Sequence, residues 1–317
     1  MNLGTSRFAS GVRKIRDRLY QLNQRINGYP SLKKLFYSRN GYALDLRNPI
    51  THNQRIVHKM VTNRDPLMVL TADKVRVRDY VGDKLGHEVA EQILIPVYHI
   101  SKNGKDIPFD RIKDEFFMKA NHSSGANRLV KPGDDRNELI KLCRQWLSTS
   151  YGQFQFEWAY RDIPRRIICE KVIRDSNGQL ANDIKFYCFH GKVRLILFLS
   201  DRFTGNPKRL FTDEHLNEIP GAQMLKKKKP KSLPGIVNFG WMKELSEKLA
   251  KPFTYCRIDL YQVDGKTYFG EITHYTGAGL DYFDDLKTDQ TFGELWKSKN
   301  KHKSFFDLYK KQEISVA

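Results

Sequence analysis

Residues 255–273 constrain the fold of this chain more than any other stretch. Tyr255-Cys-Arg-Ile-Asp-Leu-Tyr261 alternates polar with apolar positions, an Asp264-Gly265 pair follows, and Tyr268-Phe-Gly-Glu-Ile-Thr273 alternates again. Two such runs flanking Asp-Gly specify a β-hairpin. It carries Arg257, Asp259 and Glu271 and leaves through a small-residue exit, Thr276-Gly-Ala-Gly279. One guanidinium and two carboxylates on adjacent strands are the functional groups of a metal-nucleotide site.

Register decides whether those groups can act together. With a two-residue turn at Asp264-Gly265 and unbulged strands, Val263 pairs with Lys266, and alternation sends Asp259 and Glu271 to opposite faces. With a three-residue loop, Val263-Asp264-Gly265, Gln262 pairs with Lys266 and Arg257 faces Glu271. Arg257, Asp259, Glu271 and Thr273 then share one face. The three-residue loop is the expected one, because Ile258, Leu260, Phe269 and Ile272 then form a mostly apolar opposite side, although Phe269 breaks the strict alternation. The competing reading is an exposed charged sheet face.

The 317 residues, 40% hydrophobic, suffice for a core and about two domains. The formal charge of +19, from 55 Lys and Arg against 36 Asp and Glu, would attract nucleic acid, anionic lipid or an acidic polysaccharide. Cys143, Cys169, Cys188 and Cys256 stand far apart without Cys-x-x-Cys spacing, so reduced core cysteines are expected. The start lacks an apolar signal core and no long apolar run occurs, so neither secretion nor membrane spanning is indicated and the expected location is cytoplasmic.

Within residues 6–26, Phe8, Val12, Ile15, Leu19, Leu22 and Ile26 recur at helical spacing as one narrow apolar seam. Arg7, Arg13, Lys14, Arg16, Arg18 and Arg25 oppose a single Asp17. Such a helix packs on its own domain, pairs with a partner helix, or lies at the periphery of an anionic membrane. Strand signals follow at 94–100, 116–120, 165–173 and 184–200, the last broken by a His190-Gly191 turn, with helices over 137–147 and 237–250. The alternation predicts mixed α/β layers. Residues 204–235, with Lys226–Lys229, Lys231 and three prolines, read as a basic loop.

Two further stretches carry chemistry. Lys119 ends a strand and opens the small polar loop Ala-Asn-His-Ser123-Ser124-Gly125, whose composition lets backbone N–H groups approach phosphates. It matches neither the P-loop nor the dinucleotide fingerprint. Glu170, in Ile167-Ile-Cys-Glu-Lys-Val-Ile173, is an acid in an apolar strand and needs a partner or a ligand; Lys171 is its neighbour. Asp183 and Lys185 share a strand face, for which a salt-bridged surface is the bland alternative.

In order, Asp73-Lys74, Lys119 with Ser123-Ser124-Gly125, Ile168-Cys-Glu170, and Arg257-x-Asp259 with Glu271 resemble the ATP-grasp superfamily. Cys-Glu-Lys and Arg-Ile-Asp-Leu…Glu-Ile-Thr are similar to D-alanine:D-alanine ligases. Asp73-Lys-Val-Arg-Val-Arg-Asp-Tyr-Val81 and Asp183-Ile-Lys-Phe-Tyr-Cys-Phe-His-Gly191 resemble the TupA-like ATP-grasp group, associated with bacterial surface polysaccharides such as capsule and O-antigen. The resemblance covers residues 40–285.

It implies an α+β ATP-grasp fold in which two α+β subdomains clamp ATP: a reduced helical N-terminal region (1–72), a central subdomain (73–170) and a C-terminal catalytic subdomain (171–317). Lys74 and Lys119 would bind phosphates, Ser123, Ser124 and Gly125 would close over them, and Glu170 would begin the adenine hinge. Lys171, Asp183 and Lys185 complete the nucleotide-binding set, and Asp259 and Glu271 match the Mg2+ ligands. Thr273 stands where the ligases often carry Asn, a poorer hard-cation ligand here. The preceding region is too short for the α/β domain many ligases carry, so the acceptor pocket does not transfer.

The implied reaction joins a carboxylate to an amine through an acyl phosphate, with Arg257 holding the oxyanion. The implied partners are an acidic glycan or lipid-linked precursor and an amino acid or other amine. An ATP-grasp phosphotransferase using the same site is the alternative. A non-catalytic nucleic-acid-binding protein is a third reading, but no recognisable nucleic-acid module accompanies the charge, so no specific nucleic acid is expected.

Overall fold

The computed structural model describes residues 3–149, 151, 156–200, 208–219, 222, 235–281 and 283–314, with side chains from residue 15 to residue 311. It opens with helices α1 (Leu3–Ile26), α2 (Pro30–Asn40), α3 (His52–Thr62), α4 (Pro66–Ala72), α5 (Val77–Leu85) and α6 (His87–Ile93). Local chemistry starts them. Pro30 and Pro66 stand in the first turns of α2 and α4. At α3, the Thr51 hydroxyl accepts from Gln54 N at 3.1 Å while Gln54 Oε1 accepts from Thr51 N at 3.2 Å, a reciprocal capping box.

Two antiparallel sheets follow. The four-stranded sheet runs β1 (Val97–Ser101), β4 (Ile167–Lys171), β2 (Phe116–Ala120), β3 (Asn127–Val130) from edge to edge. Strand β2 buries Phe116, Met118 and Ala120, and the first two meet Ile167 and Cys169 of β4 and Leu139 and Cys143 of α7 (Arg136–Ser148) in a small core. The alternate residues Phe117, Lys119 and Glu170 face the other way, into a cleft.

The five-stranded sheet has the order β7 (Lys208–Asp213), β6 (Lys192–Ser200), β5 (Asn182–Phe189), β8 (Tyr255–Val263), β9 (Lys266–Thr273). Its apolar side, with Ile184, Phe186, Ile258 and Leu260, receives Met242, Leu245 and Leu249 of α8 (Phe239–Ala250), within the main core. Its other side carries the charged residues of β5, β8 and β9. The four cysteines are buried and unbridged, as expected.

Two expectations need correction. Residues 204–235 are not all loop: β7 pairs with β6 across Leu195–Ser200, because Leu210 and Phe211 bury where the sheet offers an apolar partner. Lys226–Lys229 and Lys231 lie outside the described residues. The hairpin loop has two residues, not three. Val263 pairs with Lys266, and Asp264 and Gly265 both take positive φ (47° and 78°), the conformation a tight primed turn requires.

Candidate functional site

Although the turn is tight, the carboxylates share a face, and a bulge is the reason. Leu260 pairs with Phe269, yet Asp259 pairs with Glu271, so Gly270 is an extra residue in β9. A Cβ on Gly270 would lie 2.9 Å from the Tyr261 ring and 3.0 Å from the Asp259 carbonyl oxygen, so a residue with a side chain would crowd the bulge. Beyond it Glu271 and Thr273 return to the face of Asp259 and Arg257. The out-of-phase Phe269, three residues before Ile272 with a glycine between, was the sequence signal for this bulge.

Cross-strand pairing then sets two rows. Lys185, Asp259 and Glu271 stand opposite one another on β5, β8 and β9, and Tyr187, Arg257 and Thr273 form the row beside them. Arg257 grips Asp259 with both prongs, Nε to Oδ1 at 2.6 Å and Nη2 to Oδ2 at 2.8 Å, and Nη2 also donates to Thr273 Oγ1 at 3.2 Å. Lys185 Nζ pairs with Asp259 Oδ2 and lies 3.5 Å from Asp183. The Thr273 hydroxyl donates to Glu271 Oε1 at 3.1 Å, so its donor and acceptor roles are both engaged.

Burial would raise the Glu271 carboxyl, but Lys74, Arg257 and Lys185 override it and hold the group well below its ordinary value of 4.5. Burial would lower the Arg257 guanidinium, and Asp259, with Tyr187 and Glu271, drives it the other way. Both groups are therefore charged at neutral pH.

The opposite wall comes from the four-stranded sheet and the loop between β2 and β3. Lys119 Nζ donates to Glu170 Oε2 at 2.7 Å, and Arg78 lies 4.0 Å from the other carboxylate oxygen. Ala120 N donates to Ala126 O at 2.9 Å and closes the loop carrying Ser123, Ser124 and Gly125, the last at φ 78°. The buried Ser123 Oγ has no hydrogen-bond partner among the described residues. Lys74 spans the walls: its Nζ donates to Ser123 O at 2.9 Å and sits 3.3 Å from Glu271 Oε2.

A cavity of about 480 Å³ separates the walls, within the range of a nucleotide-sized pocket. Lys74, Lys119, Ser123, Ser124, Gly125, Glu170, Lys171, Asp183, Lys185, Arg257, Asp259 and Glu271 all line it; Thr273 reaches it through Glu271 and Arg257. The Thr276–Gly279 exit is not part of that lining. It packs on α3, where a Cβ on Gly279 would lie 2.6 Å from Asn53 O.

Sequence reasoning missed several contributors. Arg209 enters from β7, in the segment read as loop, and Ile95, Phe117, Ile173, Leu180 and Leu199 supply apolar lining. Asp73 positions Lys74: its buried carboxylate accepts from Val75 N at 2.9 Å, Asn121 Nδ2 at 2.8 Å and Arg76 Nε at 2.9 Å. Asn121 in turn accepts from Arg166 N at 2.7 Å, tying α4–α5 to the loop and to β4. Only the adjacency of Asp73 to Lys74 hinted at this.

The family model for TupA-like ATP-grasp proteins matches residues 54–297. Among solved structures, the chain is similar to D-alanine–D-alanine ligase from Bacillus anthracis complexed with ATP, at 16% identity, covering 65% of this chain and 54% of that one with a TM-score of 0.36. A second structure of that ligase matches at 16% identity over 78% of this chain and 68% of that one, TM-score 0.40. The ATP-grasp ligase PsnB, complexed with a phosphomimetic variant of its minimal precursor, Mg and ADP, matches at 10% identity over 77% and 60%, TM-score 0.42. The chain thus spans between 54% and 68% of the length of these structures. No curated protein matches it at a significant level.

Proposed function

We propose that this chain, which belongs to the TupA-like ATP-grasp family, is an ATP-dependent carboxylate–amine ligase working in the cleft between its two sheets. The observation that carries the reading is the double row on the five-stranded sheet, facing Lys119 and bridged to it by Lys74 and the Ser123–Gly125 loop. Lys74, Lys119 and Lys185 offer the positive charge a triphosphate needs, the unpartnered Ser123 Oγ offers a hydrogen bond, and Phe117, Ile173 and Leu180 suit a flat base.

Glu271, with Asp259 once Lys185 gives way at its Oδ2, would hold a magnesium ion shared with phosphates, since such an ion takes one or two carboxylates and fills its remaining positions with phosphate and water. No cluster of three His, Cys, Asp or Glu side chains that could hold a metal occurs among the described residues, and a phosphate-shared ion needs none. When bound, the ion would offset charge on the transferring phosphoryl group. Thr273, engaged on both sides, orients Glu271 more readily than it ligates.

In the reaction a substrate carboxylate oxygen bonds to the γ-phosphorus as the bond to ADP breaks, giving an acyl phosphate. The amine nitrogen then bonds to the acyl carbon, phosphate leaves, and the nitrogen loses a proton. Arg257, fixed by Asp259, holds positive charge beside the oxygen that becomes anionic during attack. By resemblance to the family the acid is a uronic acid of a bacterial surface polysaccharide or its lipid-linked precursor and the amine an amino acid; the +19 charge suits a polyanionic acceptor.

Incubation with magnesium-ATP, a panel of amino acids and uronic-acid glycans, followed by ADP release and product mass, tests this. A ligase yields ADP, phosphate and an amide; phosphate retained on the acceptor would establish a phosphotransferase instead. If no acceptor pair stimulates ADP release and Glu271→Gln leaves nucleotide binding unchanged, the reading fails.

A further inference from the structure

From Ile15 onward, helix α1 turns its apolar seam away from the protein. Ile15, Leu19, Leu22 and Ile26, at helical spacing, are 62%, 61%, 53% and 74% exposed. They are four of the nine large hydrophobic side chains exposed in the described chain, gathered on a single stripe. The earlier seam positions, Phe8 and Val12, fall outside the described side chains.

This orientation is held from the other side of the helix. Gln24 is buried and its Oε1 accepts from Ser31 N at 3.0 Å, the Tyr20 ring stacks 6.3 Å from Phe156, and Gln21 Oε1 accepts from Arg161 Nη1 at 2.7 Å. Polar and aromatic contacts therefore dock α1 on the body, and the stripe that would ordinarily do so is left outward. Arg16, Arg18 and Arg25 are exposed around it, and the acid in that stretch, Asp17, is half-buried.

We propose that α1 seats the protein on an anionic membrane surface, its apolar stripe entering the boundary between headgroups and acyl chains and its arginines meeting lipid phosphates. Charge chooses this occupant over a second copy of the chain. Two α1 helices packed seam to seam would bring two sets of Arg16, Arg18 and Arg25 together, whereas anionic lipid covers the same stripe and neutralises them. Among the described residues no helix is long and apolar enough to cross a membrane, so the contact is peripheral. It stands independently of the ligase reading.

The test is flotation of the full chain with phosphatidylcholine vesicles containing about one third phosphatidylglycerol, against phosphatidylcholine alone. Wild type is expected to float with the anionic vesicles and not with the neutral ones. The double variant Leu19→Glu, Leu22→Glu, at exposed positions, should lose at least about tenfold in vesicle binding while keeping its thermal unfolding. Arg16, Arg18 and Arg25 replaced by Ser should lose binding too. If wild type stays with the buffer, if the Leu variant floats equally well, or if light scattering shows a dimer that this variant abolishes without any vesicle binding, the proposal is overturned.

Discussion

The two walls of the cleft are both antiparallel sheets with one face buried under a helix, yet they deliver their charges differently. Between β2 and β4 the register is unbroken, Phe117 opposite Glu170 and Lys119 opposite Ile168, so alternation alone carries Lys119 and Glu170 to the cleft. Between β8 and β9 the same rule with a tight turn would have buried Glu271 in the apolar layer. One extra residue, Gly270, restores the phase just where the two carboxylates must meet. The lesson is that the denser chemistry sits on the irregular sheet, and that a bulge there is part of the site.

Gly270→Val should break that arrangement with the largest effect. A branched Cβ forced to within about 3 Å of the Asp259 carbonyl, a distance set by the glycine's surroundings, costs roughly 1–3 kcal/mol of overpacking if the bulge holds. If the bulge yields, β9 slips into regular pairing and Glu271 and Thr273 turn into the core. Either way Glu271 and Thr273 are displaced together, and we expect nucleotide-dependent ADP release to fall by more than about a thousandfold, the largest loss of turnover among these variants. Deleting Gly270 should do less harm, because Phe269 and Glu271 then alternate normally and keep their present partners. Paired measurements of ADP release and thermal unfolding decide it, and a deletion as damaging as the valine variant would show that the bulge does more than set phase.

This contrast also marks what was legible in the residues. The hairpin, the shared face and the order Lys74, Lys119, Glu170, Asp259, Glu271 could be read because alternation and spacing are local. The turn length was misjudged because a glycine carries no side chain to declare its face, so two loops explained the same pattern. Strand β7 was hidden inside a lysine-rich and proline-rich segment, since its stability comes from pairing with β6 rather than from its own composition. Asp73 and Asn121 were opaque for another reason: 48 positions separate partners that only the tertiary fold joins.

Asp259→Asn ranks next, and it probes the regular half of the charged sheet. The carboxylate offsets both Arg257 and Lys185, which are largely buried. Removing one partner of such a buried set costs about 3–5 kcal/mol, and misplacing the guanidinium should slow turnover by about 10²–10³. Denaturant unfolding and single-turnover kinetics measure the two separately. Unfolding unchanged with turnover lost would assign the effect of Asp259 to magnesium binding rather than to holding Arg257 and Lys185.

A smaller effect distinguishes Glu271 by pH. Its folded-state pKa lies well below the ordinary 4.5, so its contribution to stability is fully present above pH 4.5 and is lost as pH falls through the folded value. Glu271→Gln should therefore be less stable than wild type near neutrality, with the gap narrowing under acid below pH 4.5. Thermal unfolding across that window reads the gap. A gap that stays constant would sink the claim that Lys74, Arg257 and Lys185 stabilise the ionised form.

The smallest expected effect concerns the regular wall. Glu170 neutralises Lys119 at 2.7 Å, and Arg78 stands beyond it at 4.0 Å. Glu170→Gln keeps an acceptor for Lys119 but removes a negative charge from the cleft proposed to take up a polyanion. Inorganic tripolyphosphate, which has no base to lose contacts with, should then compete for the cleft about three- to tenfold better, equivalent to about 1 kcal/mol. ATP should gain less than tripolyphosphate if the Glu170 carboxylate also touches the base, and equally if it does not. Competition of both ligands against a fluorescent nucleotide therefore separates the two roles of one carboxylate, and unchanged tripolyphosphate affinity would remove Lys119 from the phosphate site.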